Sequence, residues 1–208
     1  MENTIIVAGI GPGSPDYLLP AALRAIEQAT VLVGSSRALA TFARVDQRCH
    51  VITADIQGVL DFVAEASQTG QVVILVSGDP GFYSLLAALR QQFGAHRLEV
   101  IPGISSVQLA FARLGEVWHD AVLASMHGRE AADSQLAYEK GKKLGLLTDN
   151  KHTPAVIAER LLAHGWPQET AVWLCENLSY ETETILAVTL AEACEIDGFA
   201  HAVMVVKG

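Results

Sequence analysis

Long apolar runs are missing from this 208-residue chain. Its longest stretches, such as Val72 to Val76, fall far short of the roughly 20 residues that span a bilayer, so no transmembrane helix is expected. Cysteine is scarce too. Cys49, Cys175 and Cys194 stand far apart, without the paired spacing that zinc sites or disulfide frameworks need, so they read as buried thiols and no metal site is expected. Basic residues number 14 against 23 acidic ones, a formal charge of -9. A nucleic-acid ligand, which calls for a basic surface to offset its phosphates, is thereby disfavoured. The beginning of the chain has neither the basic stretch nor the cleavage-type tail of a secretion signal. A cytoplasmic protein is expected.

What the chain does have is core material, since 50% of its residues are hydrophobic. That is enough for one domain or two small ones. The first half alternates short β-rich runs (Thr4–Ala8, Val31–Val33, Val72–Val76, Leu98–Ile101) with segments of helical period (Leu18–Gln28, Gly58–Ser67, Leu85–Gln92, Ser105–Leu114). Such alternation predicts βαβ units and a parallel sheet covered by helices on both faces. After Gly115 the pattern restarts with Asp120–Ala124, a polar helix-like stretch near Glu130–Glu139, Leu144–Thr148 and a helix over Pro154–Ala163. Three closing strands, Ala171–Cys175, Ile185–Thr189 and Ala202–Val206, are separated by short gaps that favour hairpins. We therefore expect an α/β protein of two domains, residues 1–117 with a mostly parallel sheet and 118–208 with a mixed one, and a ligand cleft between them.

Three glycine-bearing turns each follow a strand. Gly9-Ile-Gly-Pro-Gly13 lets backbone approach a ligand, but Ser14 stands where a dinucleotide fingerprint has its third glycine, and the second strand ends in Val33-Gly-Ser-Ser36 without an acidic residue. Nicotinamide binding is therefore disfavoured. Ser77-Gly-Asp-Pro-Gly81 puts Asp79 at the carboxyl end of the central strand, where it either meets a ligand or caps the next helix. Pro102-Gly-Ile-Ser-Ser106 offers Ser105 or Ser106 as a helix cap whose hydroxyl can also meet a cofactor.

With these three turns the chain resembles the tetrapyrrole methylases, a family of two-domain α/β enzymes that use S-adenosylmethionine (SAM), and the resemblance covers essentially the whole length. Ser125-Met-His-Gly-Arg129, Leu147-Thr-Asp-Asn-Lys-His-Thr-Pro154 and Cys175-Glu-Asn-Leu178, with Glu181 and Glu183 beyond, are similar to the branch that methylates carbon 5 of precorrin-7 or its cobalt form. The resemblance implies SAM as methyl donor, a corrin-ring precursor of cobalamin as substrate, and a homodimer. It implies a cofactor set of Gly11, Pro12, Gly13, Gly78, Asp79, Tyr83, Ser105, Ser106, Asn177 and Leu178. Some relatives are fused to a methylase that acts at carbon 15; with this chain ending at Gly208, that activity is expected on a separate protein.

Corrin precursors carry several carboxylate arms, so a chain of charge -9 needs local cations. Arg129, then Lys151 and His152, are the candidates, because a guanidinium or ammonium pairs with carboxylates. Lys140, Lys142 and Lys143 read instead as a solvated turn. His127 and Arg129 are candidates for a catalytic role, His127 as a base, though a plain surface turn accounts for both equally well. Thr153-Pro154 reads as a helix cap followed by proline at the first helical position. Trp118, Trp166 and Trp173 read as core or rim. Two alternatives stand beside carbon-5 methylation: SAM-dependent methylation of another tetrapyrrole, and a non-catalytic subunit that binds SAM or a tetrapyrrole and supports the carbon-15 methylase.

Overall fold

The computed structural model describes residues 3–128, 130–199 and 201–208. The chain divides into two compact units, Met1–Ser105 and Ser106–Gly208.

The first unit runs β1 (Ile5–Gly9), α1 (Pro20–Gln28), β2 (Val31–Gly34), α2 (Ser36–Phe42), β3 (Arg48–Val51), α3 (Ile56–Ala66), β4 (Val72–Val76), α4 (Leu86–Phe93) and β5 (Leu98–Ile101). Its five strands lie in the order β3-β2-β4-β1-β5, and every pairing is parallel. All five residues of β4 are buried, as expected of a strand covered on both faces. Alternation then sorts neighbours to opposite sides. Ile5 and Val7 of β1 pack with Val59, Val63 and Leu89 of α3 and α4, whereas Ala8 packs with Ala22, Ile26 and Leu39 of α1 and α2. Local chemistry starts the helices: proline opens α1, and the Asp55 carboxylate accepts the Gly58 N–H, 3.0 Å away, to cap α3.

This strand order fixes a special place. From β1 the chain crosses β4 to reach β2, and from β4 it crosses β1 in the other direction to reach β5. The two crossovers use opposite faces, α1 on one and α4 on the other. Open α/β sheets bind ligands at such a switch point, beyond the carboxyl ends of the strands. The turns after β4, β1 and β5 stand there side by side.

The second unit comprises α5 (Ser106–Leu114), β6 (Ala121–Ser125), α6 (Asp133–Leu136), β7 (Lys143–Leu147), α7 (Pro154–Ala163), β8 (Ala171–Glu176), β9 (Thr184–Thr189), α8 (Leu190–Ala193) and β10 (Ala202–Lys207). Its strand order is β6-β7-β10-β8-β9, with β6 and β7 parallel and the remaining pairs antiparallel. On one face Leu144, Leu146, Leu174 and Met204 pack with Ile157, Leu161 and Leu190 of α7 and α8. On the other lies α5. A Cβ at Gly145 of β7 would sit 2.9 Å from Val107 and 3.0 Å from Phe111, so the glycine makes room for that helix.

Several expectations need correction. The closing strands are not a simple run of hairpins: β8 and β9 pair, but β10 inserts between β7 and β8. The helix near 130–139 shrinks to Asp133–Leu136, and α2, β3 and α8 were not anticipated. Contacts group α5 with the second unit, beside the junction at 117/118 expected from the sequence. Cys49 is exposed on β3, although Cys175 is buried. Lys143 is no solvated turn residue either; it is buried, its ammonium 3.0 Å from both the Val117 carbonyl and the Asp120 carboxylate.

Candidate functional site

In the first unit the three glycine turns are fused into one body. Gly11 and Gly78 form a two-residue bridge: the Gly78 N–H donates to the Gly11 carbonyl at 2.7 Å and the Gly11 N–H returns to Gly78 at 3.4 Å. Both have positive φ, 76° and 70°. A Cβ at Gly9 would come within 2.6 Å of the Gly103 nitrogen, and one at Gly103 within 2.2 Å of the Gly78 carbonyl oxygen. The three main chains therefore touch directly.

Asp79 locks them further. One carboxylate oxygen accepts the Gly81 N–H at 2.8 Å within its own turn, and the other accepts the Gly103 N–H at 3.0 Å from the turn after β5. It does not cap the following helix, which begins at Leu86 with its N–H on the Ser84 hydroxyl. Ser105 is buried against Gly78 and Ser106 opens α5. Pro12 is buried, Gly13 has φ 149°, and Tyr83 is 42% exposed with an unusual φ of 51°.

These features bear on what the turns can hold. Residues 9–17, 77–85 and 102–106 contain no Lys or Arg. A 3-10 turn over Pro15–Tyr17, capped by Ser14, separates Gly13 from α1, which starts only at Pro20. A dinucleotide's pyrophosphate would need a helix N-terminus opening directly on the glycines. The main-chain groups, serine hydroxyls and the carboxylates of Asp16 and Asp79 suit instead a ligand with hydroxyl and amino-acid groups but no phosphate, as SAM is.

In the second unit Asp149 is the organising residue. It is buried after β7; one carboxylate oxygen accepts the Lys151 and His152 N–H groups at 2.8 and 2.7 Å, and the other accepts the Gly128 N–H at 2.7 Å. The turn after β6 and the turn after β7 are thus tied to one carboxylate. Those donors, Gly128 first and His152 next, hold the carboxyl well below the usual carboxylate range despite burial. The His152 ring nitrogen Nδ1 adds a contact at 3.3 Å. Neither Asp149's role nor the adjacent Thr148, whose hydroxyl accepts the Ala202 N–H at 2.8 Å, was foreseen beyond the motif they share.

Two of the candidate cations, Lys151 and His152, give their backbone N–H groups to this carboxylate. Lys151 is exposed and uses its backbone N–H on Asp149. Arg129 lies outside the described residues. His127 is exposed, and its ring lies 5.8 Å, centroid to centroid, from that of His201, which precedes β10 and was not singled out in the sequence. Asn177 and Leu178 follow β8; Asn177 has φ 50° and Leu178 is buried. Among the described residues no group of three or more His, Cys, Asp or Glu side chains is placed to hold a metal ion.

Comparison with known proteins places this architecture. Residues 4–194 match the tetrapyrrole (corrin/porphyrin) methylases. The chain belongs to that family. This methylase is 38% identical over 181 residues to the cobalt-precorrin-7 C(5)-methyltransferase of Salmonella typhimurium, a match covering 87% of this chain and 88% of the relative. The crystal structure of a precorrin-6Y methylase from Archaeoglobus fulgidus superposes with a TM-score of 0.75 at 27% identity, covering 98% of this chain and 97% of that one. A uroporphyrin-III C-methyltransferase from Thermus thermophilus, solved with S-adenosyl homocysteine, superposes with a TM-score of 0.77 at 20% identity, covering 98% and 92%. That last likeness is one of fold.

Proposed function

We propose that this methylase transfers a methyl group from SAM to carbon 5 of a corrin intermediate of the cobalt-precorrin-7 type, in cobalamin biosynthesis. The observation that carries the reading is the match, over most of both chains, to a relative named for that reaction. SAM supplies the methyl on a sulfonium that is its own leaving group, so no protein nucleophile is required. The chain's task is to bind and align.

Gly11, Pro12, Gly13, Gly78 and Asp79, with Tyr83 and Ser105, form the methyl-donor site of the first unit; Ser106, Asn177 and Leu178 are assigned to the cofactor by the family resemblance. What supports this is the fused, cation-free turn cluster at the sheet's switch point. Asp79 acts there through the backbone, holding the β4 turn to the β5 turn. Arg129 and Lys151 take carboxylate arms of the macrocycle, an assignment supported by Asp149, which gathers their two turns. His127, exposed in the turn after β6, is the candidate to receive a ring proton after methylation. The protein works as a cytoplasmic homodimer, in line with the family resemblance; no helix among the described residues is long and apolar enough to cross a membrane.

Titration calorimetry with S-adenosylhomocysteine, followed by methyl-transfer assays on a panel of corrin precursors, tests the reading. Binding of the nucleoside and selective methylation of the precorrin-7 form are expected. Preference for another tetrapyrrole would overturn the substrate, and absence of turnover with the nucleoside bound would favour a non-catalytic subunit.

A further inference from the structure

We infer that Arg113 of α5 is a positioning residue for methyl-donor binding: paired with Glu183, it holds the loop between β8 and β9 in the conformation that presents Asn177 and Leu178. The inference rests on the reading that this loop takes part in SAM binding.

The loop has a conformational problem. Glu176 and Thr184 are paired residues of the β8–β9 hairpin, so residues 177–183 form the connection. Its sequence, Asn-Leu-Ser-Tyr-Glu-Thr-Glu, contains no glycine. Yet Asn177 has φ 50° and Ser179 φ 77°, in the left-handed region that non-glycine residues enter rarely and at a cost. Asparagine tolerates this region better than most side chains, whereas serine has no such advantage. Two turn hydrogen bonds, Tyr180 N–H to the Asn177 carbonyl and Glu183 N–H to the Tyr180 carbonyl, both 3.0 Å, close the loop locally.

Glu183 ties this loop to a helix. One carboxylate oxygen accepts the strained Ser179's N–H at 2.7 Å, which fixes the peptide just before the left-handed residue. The same carboxylate takes a two-pronged contact from Arg113, Nε at 2.6 Å and Nη2 at 3.2 Å. A planar guanidinium sets both position and direction of a carboxylate, which a point charge does not. Arg113 sits two residues beyond Phe111, which is fully buried, so the anchor is a packed helix rather than another loop. The arrangement thus runs from α5 through one carboxylate to Ser179, next to Leu178. Of the two acidic residues that close the motif, Glu183 is the one that performs this work.

Freed from Arg113, the loop relaxes toward backbone forms without positive φ, and only the fraction still in the binding form accepts ligand. Apparent affinity falls by that fraction. The full-length parent, Arg113→Gln, Arg113→Lys and Glu183→Gln are compared by calorimetry with S-adenosylhomocysteine, by hydrogen exchange of residues 177–183, and by separate KM values for SAM and the tetrapyrrole. Loss of the charge-assisted pair should weaken nucleoside binding about tenfold in Arg113→Gln. Exchange at Ser179 should rise, KM for SAM should rise more than KM for the tetrapyrrole, and Arg113→Lys should recover only part of the affinity. A parent that does not bind the nucleoside removes the SAM reading itself. A parent that binds, with a folded Arg113→Gln that binds equally well or shifts both KM values alike, overturns the positioning role alone. Should Arg113→Gln not fold, Glu183→Gln decides by the same measurements.

Discussion

Replacing Asp149 by asparagine asks whether one carboxylate really organises the two turns that carry the candidate substrate cations. The parent side chain accepts three backbone N–H groups, two on one oxygen and one on the other. Asparagine is nearly the same shape but has a single acceptor oxygen. If that oxygen keeps Lys151 and His152, its amide N–H₂ must face the Gly128 N–H, donor against donor; the opposite orientation loses two bonds instead. At least one charge-assisted hydrogen bond disappears, costing about 1.5–3 kcal/mol. For a chain of this size that corresponds to a fall of about 3–12 °C in the melting temperature. The pH dependence gives a second, independent reading. The folded carboxyl titrates below its unfolded value, so its contribution is complete above the unfolded pKa of about 3.9 and is lost as pH falls from there toward the folded value. Parent and variant should therefore differ fully at pH 7 and converge below about pH 4. Urea or thermal unfolding followed by circular dichroism across that range is the assay. Equal stability at pH 7, or a gap that stays undiminished at pH 3, would refute the hub.

Other outcomes follow from the proposed roles and from the packing. Arg129→Ala should weaken tetrapyrrole binding by about 1.5–3 kcal/mol with little change for S-adenosylhomocysteine, and Arg129→Lys should restore it only in part; unchanged tetrapyrrole affinity would assign the residue elsewhere. Gly103→Ala puts a methyl 2.2 Å from the Gly78 carbonyl oxygen and should lower the unfolding free energy, read from urea titration, by at least the roughly 1–3 kcal/mol of an overpacked core; a parent-like unfolding curve would contradict the interlocked turns. In a thiol titration of the native protein Cys49 should react first, while Cys175, buried and with its pKa pushed up to about 12, should react only on unfolding. Early labelling of Cys175 would argue against its place in the second sheet.

The parts of the fold that were legible in the sequence are those where burial writes a pattern. β4 and β5 are matched residue for residue, and α7 likewise, because Val72–Val76 is apolar throughout and Thr153-Pro154 marks a helix start. β3 escaped because it is an edge strand whose four residues, Arg-Cys-His-Val, are largely exposed and carry no apolar alternation. The insertion of β10 between β7 and β8 escaped because strand order depends on contacts between distant segments, and a short gap in sequence says only that a hairpin is possible. The same limit hid His201. It lies 74 residues from His127, as their numbers show, and only the pairing of β7 with both β6 and β10 brings their ends together.

The glycines show that a motif can have causes the sequence does not display. From sequence, each glycine turn suggests backbone drawn close to a ligand. The structure separates two causes, which act alone or together. Gly103 is constrained by contact, since any Cβ collides with Gly78 and Gly9, and no positive φ is involved. Gly128 is constrained by φ, 65°, with open space around its absent Cβ, so asparagine should substitute there far better than valine. Gly11 carries both burdens, φ 76° and a Cβ position 2.9 Å from the Tyr17 carbonyl oxygen. Gly11→Val is therefore a poor test of ligand approach, because it disturbs the protein's own turn before any ligand arrives. Binding is better probed at groups whose change leaves the interlocked backbone in place, and the exposed ring of Tyr83 is one. Tyr83→Phe keeps the ring and the backbone and removes only the hydroxyl. A rise in the S-adenosylhomocysteine Kd without a change in unfolding midpoint would place that hydroxyl at the ligand, and an unchanged Kd would remove it from the site.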